Sequence, residues 1–446
     1  MKTRIKNITR AQTIALGFFL IIMTGTLLLM LPIASREGHT TNLMTALFTA
    51  TSATCVTGLI VVDTYQYWSV FGQVVIMMLI QIGGMGFVTV GVWFAVFLRR
   101  KIDLKGRGLI QESINTIQIG GVVRLVKKVV MGTAIFELTG AFLLSFYYVP
   151  RLGFIKGVYN GIFHAISAFC NAGFDLMGRN GEFLSFTGQY DNILINAVIM
   201  SLIVIGGIGF IVWDDISERK WHIRSYMLHT KIVLTVSFAL IIGGAILFYV
   251  MESGNLMEGM SVKGKICSSL FSSVTARTAG FNTLDIASFT EGSKFLSVIL
   301  MFIGGSPGST AGGIKTTTLA VMTIFIWSRV RSGSGCNLYN RRITDDIVTK
   351  AAMVFGINLL LGISGTLIIC SLQNFPVGDV LFEVFSAIGT VGMSTGITRD
   401  LNMLSKIVVV LLMYMGRIGS MTFALAFAEK RSPVPVTMPT EKITVG

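Results

Sequence analysis

Long apolar stretches dominate the chain and alternate with shorter, more polar segments. Eight stretches approach or exceed the ~20 residues with which an α-helix crosses a bilayer. They are residues 11–31, 72–98, 129–149, 193–213, 232–250, 294–327, 351–370 and 407–428. The first is too long for the apolar part of a signal peptide and lacks an A-x-A-like cleavage site, so we interpret it as a retained helix. The pattern predicts eight transmembrane helices.

A second kind of segment lies between the two spans of each successive pair. It is amphipathic and about 12 residues long, too short to cross a bilayer, so it is expected to dip into the membrane and return. Examples are NLMTALFTATSA (42–53) and GVYNGIFHAISA (157–168). Non-helical backbone at membrane depth is tolerated only when it is buried in protein or lines a water-filled cavity. Four such re-entrant pore helices around one axis predict an aqueous pathway.

Each amphipathic segment ends in a short strip closed by a glycine. The four glycine strips read CVTG (55–58), CNAG (170–173), RTAG (277–280) and GTVG (389–392). Ten residues before the glycines stand Phe48, Phe163, Leu270 and Phe382, and five to six residues before them stand Ser52-Ala53, Ser167-Ala168, Val274-Thr275 and Ser386-Ala387. The recurrence predicts four helix–pore helix–helix repeats, 1–128, 129–231, 232–350 and 351–446.

Composition and charge support an all-α membrane protein. Hydrophobic residues make up 52% of the 446 and charged residues 13%, about half the ~25% of soluble domains. Most of the 36 lysines and arginines lie in the segments 1–10, 99–128, 214–231, 329–350 and 429–446. The positive-inside rule therefore predicts that both termini are cytoplasmic, and we attribute the net charge to topology and not to nucleic acid binding. Part of it is available to a docked partner or to anionic membrane lipid. The five cysteines form no disulfide or zinc pattern.

The strips have the chemistry of a cation selectivity filter. Backbone carbonyls can replace the water shell of an ion, as in potassium channel filters that read TVGYG, and glycine permits the conformations that point carbonyls inward. The fourth strip holds the first three letters of that signature. The predicted filter consists of Val56, Thr57, Gly58, Asn171, Ala172, Gly173, Thr278, Ala279, Gly280, Thr390, Val391 and Gly392. The alternative is that these glycines only pack helices closely.

The second span of each repeat carries a further glycine motif: QIGGMGF (81–87), VIGGIGF (204–210), FIGGSPGSTAGGIKT (302–316) and YMGRIGS (414–420). In repeat 3 the helix is expected to break, because proline removes a donor and glycine adds backbone entropy. The residues are Gly304, Gly305, Pro307, Gly308, Gly312 and Gly313, with Lys315 following toward the cytoplasmic half. The break is a candidate gate below the filter; a static kink is the alternative. GSTAGGIKT lacks the glycine directly before lysine and follows no strand, so an ATP-binding loop is excluded.

Arg417 occupies the place where the other repeats have Gly84, Gly207 and Gly305. A buried arginine is costly in a membrane, so we expect it to face the cavity and either repel cations or hold the loop. The alternative is that it binds helix-end carbonyls for packing.

Four acidic residues bear on the transport mechanism. Glu137 is the main acid within the spanning stretches and is interpreted as either a hydrogen-bonded structural residue or a proton site. Asp63, Asp175 and Asp285 follow the strips, either as a cation-attracting vestibule or as solvated loop residues.

The repeats, together with TCVTGL, NAGF, TARTAGFN, GTVGMS and GGSPGSTAGGIKT, resemble the Trk/Ktr/HKT superfamily of potassium uptake proteins over nearly the whole chain. The length is most similar to the Ktr membrane subunit (KtrB/KtrD type). The resemblance implies a non-enzymatic homodimer in the plasma membrane with one pore per subunit and a gating loop in repeat 3. It also implies a separate cytosolic nucleotide-binding ring (KtrA-like), and the chain has no Rossmann fingerprint of its own.

Under this resemblance, potassium is the transported ion, with sodium as a modulator and no chemically bound cofactor. Strips 2 and 3 depart from Thr-Val-Gly, which leaves the strictness of selection against sodium open. A symporter that couples potassium to sodium or protons and a purely structural scaffold are the rival interpretations.

Overall fold

The computed structural model describes residues 9–98, 106, 108, 109, 111, 121–179, 181–331, 336–420, 422, 423, 441 and 444. Within these residues each quarter of the chain has the same order: a long first helix, a short helix, a glycine strip and a second helix. The basic segments 1–10, 99–128 and 429–446, on which the predicted topology partly depends, lie mostly outside the described residues, as does the end of the predicted span 407–428.

The four first helices form the lipid-facing shell of the molecule. They are Arg10–Met30, Val122–Leu152, Leu228–Glu252 and Asp345–Leu372. Each is long and apolar enough to span a bilayer, and only 28–33% of its most apolar stretch is buried in the protein. An apolar surface of this extent is stable only in contact with lipid. The chain is therefore a multi-pass membrane protein.

The short helices are the re-entrant elements that the sequence predicts. They are Leu43–Thr54, Phe154–Phe169, Val262–Thr275 and Val377–Gly389. Their 12 to 16 residues reach roughly 18–24 Å, short of the ~30 Å hydrocarbon core. Two of them begin at side-chain caps, where Asn42 accepts from the amide of Met44 and Ser261 accepts from the amide of Gly264.

The second helices are interrupted in every repeat. The segments before and after the interruption are Val70–Met85 and Phe87–Phe97, Ile193–Gly207 and Phe210–Arg219, and Glu291–Phe302 and Thr316–Val330, while Met403–Ile418 ends at Gly419. The first two pairs bend by 93° and 94°. The sequence predicted a break in repeat 3 alone. The breaks in the other repeats occur at Gly86, Gly209 and Gly419, whose φ angles of 79°, 99° and 94° are left-handed and end a helix.

A two-stranded hairpin departs from the predicted all-α architecture. Strand Cys336–Leu338 pairs antiparallel with Arg341–Ile343, and the turn residues Tyr339 and Asn340 both have positive φ. Two left-handed residues in succession make the tight turn whose twist matches a hairpin. Apolar periodicity could not identify strands of three residues. The hairpin connects repeats 3 and 4 and lies away from the glycine strips.

Candidate ion pathway

The four glycine strips form a closed ring. A methyl group placed on Gly58 would approach the carbonyl oxygen of Ala172 in strip 2 closer than 3.0 Å. The same holds from Gly173 to Ala279, from Gly280 to Val391 and from Gly392 back to Thr57. Each glycine thus lies against the carbonyl that precedes the glycine of the next repeat. Four segments that are distant in sequence therefore converge, in chain order, around one axis.

The strips share an unusual backbone conformation. The glycines have φ of 92°, 70°, 82° and 90°, and the residues two positions earlier, Val56, Asn171, Thr278 and Thr390, also have positive φ. β-Branched residues rarely adopt this region, and such strain persists mainly at functional sites. Because left-handed residues alternate with ordinary ones, successive peptide groups do not follow a helical ladder. Their carbonyls are free to face the axis.

A hydroxyl group near the end of each short helix anchors its strip. The hydroxyls of Ser52 and Ser386 accept from the amides of Gly58 and Gly392 at 3.0 and 3.1 Å. In the other two repeats the hydroxyl donates instead, with Ser167 bonded to the carbonyl of Phe174 at 2.6 Å and Thr275 bonded to that of Phe281 at 2.5 Å. The recurring hydroxyls of the sequence repeat therefore have a positional role.

Repeat 3 is one residue out of phase with the others. The sequence alignment paired Leu270 with the phenylalanines and Val274 with the serines. In the structure Phe271 is the fully buried ring, like Phe48, Phe163 and Phe382, and Thr275 supplies the hydroxyl. The amide of Ala279 correspondingly bonds to the carbonyl four residues earlier, whereas the other strips bond five residues earlier. The stretch from the buried phenylalanine to the strip glycine is one residue shorter in repeat 3, which explains the shift.

Side chains of the strips also meet near the axis. The amide group of Asn171 lies 3.3 Å from the hydroxyl of Thr278, which links strips 2 and 3. Among the residues that the structure describes, the buried hydroxyls of Thr57 and Thr390 have no hydrogen-bond partner. An unpaired buried hydroxyl is costly unless an outside group satisfies it.

A vestibule adjoins one end of the strips. It is a cavity of about 140 Å³ lined by all four strip glycines and by Asp63, Asp175 and Asp285. The three carboxylates that the sequence left open as a vestibule or solvated loops thus share one cavity wall. The oxygens of Asp63 also accept from the amide of Phe183 at 2.8 Å, which ties repeat 1 to repeat 2.

The intramembrane loop, residues 303–315, lies against the other end of the strips. A methyl group on Gly312 would contact the hydroxyl of Thr390 and the carbonyl of Gly389. The loop is fastened to repeat 2, since Thr310 donates through its hydroxyl to the carbonyl of Phe169 at 3.1 Å and through its amide to that of Gly206 at 3.3 Å. The six glycine and proline positions predicted for the break all belong to this loop.

Two cationic side chains bind the loop from below. The ammonium of Lys315 donates to the carbonyls of Ala311 and Gly312 at 2.7 and 3.2 Å. Arg417 donates to the carbonyl of Thr310 and to those of Gly83 and Gly84, the last at 2.9 Å. Its guanidinium therefore joins the loop of repeat 3 to the break of repeat 1, and it carries its charge beneath the strips.

An inner cavity opens on the far side of the loop. Its volume is about 510 Å³, and its lining includes Pro307, Gly308, Ala311, Lys315 and Arg417. The loop and its two cations thus separate the strips from this cavity.

Glu137 lies behind strip 2. The side-chain amide of Gln81 donates to its carboxylate at 3.1 Å, and the thiol of Cys170 lies 3.8 Å away. This bonding agrees with the structural interpretation of Glu137.

Sequence reasoning missed several residues at the site. Arg277, directly before Thr278, is buried, and both of its terminal nitrogens contact Ser237 on the first helix of repeat 3 at 3.3–3.4 Å. An arginine in an otherwise small and neutral strip is a visible sequence signal. The acceptor carbonyls of Gly83 and Gly84 carry no such signal, because they are released by a bend that the sequence did not predict.

Comparison with known proteins matches this architecture. The family model for TrkH, described as a cation transport protein, matches residues 2–434. The chain is 38% identical over 457 residues to the potassium/sodium uptake protein NtpJ of Enterococcus hirae, covering 100% of this chain and 99% of that one. It is 40% identical over 423 residues to the Ktr system potassium uptake protein B of Bacillus subtilis, covering 94% and 93%.

A solved structure has the same fold. The crystal structure of the potassium transporter TrkH from Vibrio parahaemolyticus superimposes with a TM-score of 0.75 at 17% identity, over 96% of this chain and 86% of that one. With the family model matching almost the whole length and two relatives above 30% identity, the chain belongs to the TrkH family of cation transport proteins.

Proposed function

We propose that this protein takes up potassium across the plasma membrane through the ring of glycine strips, which acts as a selectivity filter. The observation that carries the proposal is the cyclic contact of each strip glycine with the carbonyl before the next one. A ring of backbone carbonyls in a water-excluding site is the recurrent solution for a dehydrated potassium ion. The names of the relatives, a potassium/sodium uptake protein and a potassium uptake protein, agree with this ion.

The intramembrane loop is proposed as the gate. It lies between the strips and the inner cavity, and Lys315 and Arg417 bind it. Positive charge on the ion path, above all that of the Arg417 guanidinium, opposes the passage of cations. Opening then requires the loop to leave its bonds to Phe169, Gly206 and Arg417.

Regulation and assembly are proposed from the relatives. The relative in Bacillus subtilis belongs by name to a Ktr system, and a system implies further subunits. We infer a homodimer whose cytoplasmic face binds a nucleotide-binding ring, with both termini on that face. The exposed basic residues of 214–231, such as Lys220 and Arg224, are available to such a partner or to anionic lipid.

Coupled symport is the second candidate function. The name of the relative in Enterococcus hirae includes sodium, and strips 2 and 3 lack the Thr-Val-Gly sequence. A symporter needs a fixed stoichiometry between two ions, whereas a filter channel passes potassium down its own gradient.

Flux in proteoliposomes separates these functions. The purified protein is reconstituted with potassium inside, and the reversal potential is measured while the external potassium, sodium and proton concentrations are varied one at a time. A reversal potential that follows potassium alone supports the filter channel. A shift with the sodium or proton gradient supports symport, and absence of protein-dependent flux contradicts transport by this chain alone.

A further inference from the structure

One position of the short helices carries a buried polar side chain in all four repeats. It directly follows the buried phenylalanine, and its occupants are Thr49, His164, Ser272 and Glu383. Their exposed fractions are 2%, 0%, 4% and 0%. Two of these side chains are long enough to reach beyond the helix, and they belong to diagonally opposite repeats, 2 and 4.

His164 holds the segment that leaves strip 2. Its Nδ1 lies 2.8 Å from the carbonyl oxygen of Asn160, and its Nε2 lies 3.1 Å from the amide nitrogen of Leu176. Because a carbonyl can only accept, Nδ1 must carry the proton, and because an amide donates, Nε2 must be unprotonated. Both ring nitrogens are thus committed in a neutral imidazole. The ring is also stacked on Tyr148, with centroids 5.2 Å apart.

Glu383 does the same for the segment that leaves strip 4. Its carboxylate accepts from the hydroxyl of Ser394 at 2.8 Å and from that of Thr398. Ser394 in turn accepts from the amide of Gly396 at 2.9 Å. A fully buried carboxylate without a cation bonded to it is expensive, and here two hydroxyl donors on one short segment partly compensate for the cost.

Both held segments form the wall where ions enter. Asp175, next to Leu176, lines the vestibule, and so do Ser394 and Thr398. Arg399, which follows Thr398, lies over the ring of Phe183 at 3.7 Å and so connects the two segments across the cavity. In repeats 1 and 3 the described structure shows no comparable bond from Thr49 or Ser272 to the segment beyond the strip.

We propose that His164 and Glu383 are positioning residues that fix the outer end of the filter in repeats 2 and 4 and thereby sharpen selection of potassium over sodium. The inference rests on the proposed filter function. The carbonyls at the outer end are attached to segments that these side chains hold to the short helices. In repeat 2, Ser167 bonds the segment at Phe174, and His164 holds it two residues further on, at Leu176. If the segments relax, the ring can close around a smaller ion.

The test compares paired variants at the four equivalent positions. His164→Leu and Glu383→Leu fill the space of the side chain but remove its hydrogen bonds to the segment beyond the strip. His164→Gln and Glu383→Gln restore a hydrogen-bond acceptor. Thr49→Val and Ser272→Ala are the matched controls. Potassium and sodium uptake are measured per folded protein in proteoliposomes, together with the melting temperature in detergent.

We expect each leucine variant to lower the potassium/sodium uptake ratio about tenfold, the effect of losing one hydrogen bond to a charged or buried group. The glutamine variants should recover most of the ratio, and the controls should retain it. Parental selectivity in both leucine variants would overturn the proposal. If Glu383→Leu does not fold, Ser394→Ala combined with Thr398→Val removes the same bonds from the other side, and parental selectivity there overturns the proposal equally. If His164→Leu does not fold, the result at Glu383 decides alone.

Gly392→Ser, measured in the same assay, distinguishes failure of the filter assignment from failure of the positioning role. If it lowers the ratio while the leucine variants do not, the filter stands and the positioning role is wrong. If Gly392→Ser leaves the ratio unchanged, the filter assignment is wrong, and the positioning role is rejected with it.

Discussion

At the scale of single residues, Arg417 joins the loop of repeat 3 to the break of repeat 1. It donates to the carbonyl of Thr310 in the loop and to two carbonyls at the break of repeat 1. A guanidinium stays charged in the membrane and requires acceptors. In the proposed gate the same side chain is both a latch and an electrostatic barrier.

We therefore predict that neutralising Arg417 speeds uptake. Arg417→Gln, which keeps hydrogen bonding, should raise the rate about threefold, and Arg417→Ala about tenfold, the change that ~1.4 kcal/mol of barrier produces. The measurement is initial potassium uptake per folded protein, with melting in detergent as the control for folding. Lower melting temperatures without faster uptake would assign Arg417 to bracing the helices alone.

We predict that Asp175 makes the vestibule sensitive to pH. Burial, together with the nearby charge of Asp63, raises the pKa of its carboxyl from the ordinary 3.8 to about 7, against the opposing effect of the amide of Met177. Tyr148 and Ser185 also face this carboxyl. Since the folded protein holds this proton more tightly than the unfolded chain does, the stability from Asp175 is present below about pH 4 and is lost as pH rises through about 7.

The pH dependence of transport is opposite in sign to that of stability. Above about pH 7 Asp175 is ionised and attracts cations into the vestibule, so potassium uptake should rise between about pH 6 and 8. Asp175→Asn should remove this step and lower uptake at pH 8. Asp285→Asn, which removes a carboxylate from the same cavity, should keep the step. An unchanged pH profile in Asp175→Asn would show that this carboxyl does not control entry.

The sequence predicted which residues form the strips but not their conformation. The four regularly spaced glycines are visible in a single sequence, and they predict strips whose backbone carbonyls face an ion. The positive φ of Val56 and Thr390 is not predictable, because isolated β-branched residues avoid that region. It results from the contact of four strips, a tertiary effect. His164 and Glu383 were missed for the same reason, since their partners are known only once the chain turns back.

At the scale of elements, the interrupted second helices explain the glycine motifs. A methyl group on Gly83, Gly206 or Gly416 would collide with the carbonyl of Thr54, Phe169 or Ile388 at the end of the short helix in the same repeat. These glycines therefore allow close packing, and the last glycine of the same motif, Gly86, Gly209 or Gly419, makes the bend. The sequence shows the motif in every repeat, but it predicted a break only in repeat 3, where one proline and five glycines occur together.

The loop of repeat 3 yields the element-scale prediction. Deleting 306–312 removes the segment that lies between the strips and the inner cavity, so maximal uptake should rise several-fold and depend less on a cytosolic partner. Thr310→Val, which removes only the bond to Phe169, should give a smaller increase in the same direction. Uptake with and without the partner, normalised to folded protein, provides the measurement. Slower uptake with intact regulation in a folded deletion variant would make the loop structural.

At the scale of the whole molecule, four repeats with different sequences build one ring. The lipid-facing first helices are predictable from hydropathy alone, and so is the re-entrant length of the short helices. The one-residue phase shift of repeat 3 was not predictable, because Leu270 and Phe271 are both apolar and the alignment could not choose between them. The closure of the ring, from Gly392 back to Gly58, is a property of the assembled fold alone.

The central claim is that this ring selects the ion. Its most direct test is the potassium/sodium permeability ratio of Gly58→Ser and Gly392→Ser in proteoliposomes. A Cβ at either position meets the neighbouring strip carbonyl and opposes a φ of 92° or 90°. Gly38→Ser is the matched control, since its φ of 73° is equally left-handed but nothing lies within 4 Å. We predict a marked loss of selectivity in both filter variants and none in the control. Parental selectivity in Gly58→Ser and Gly392→Ser alike would contradict the account.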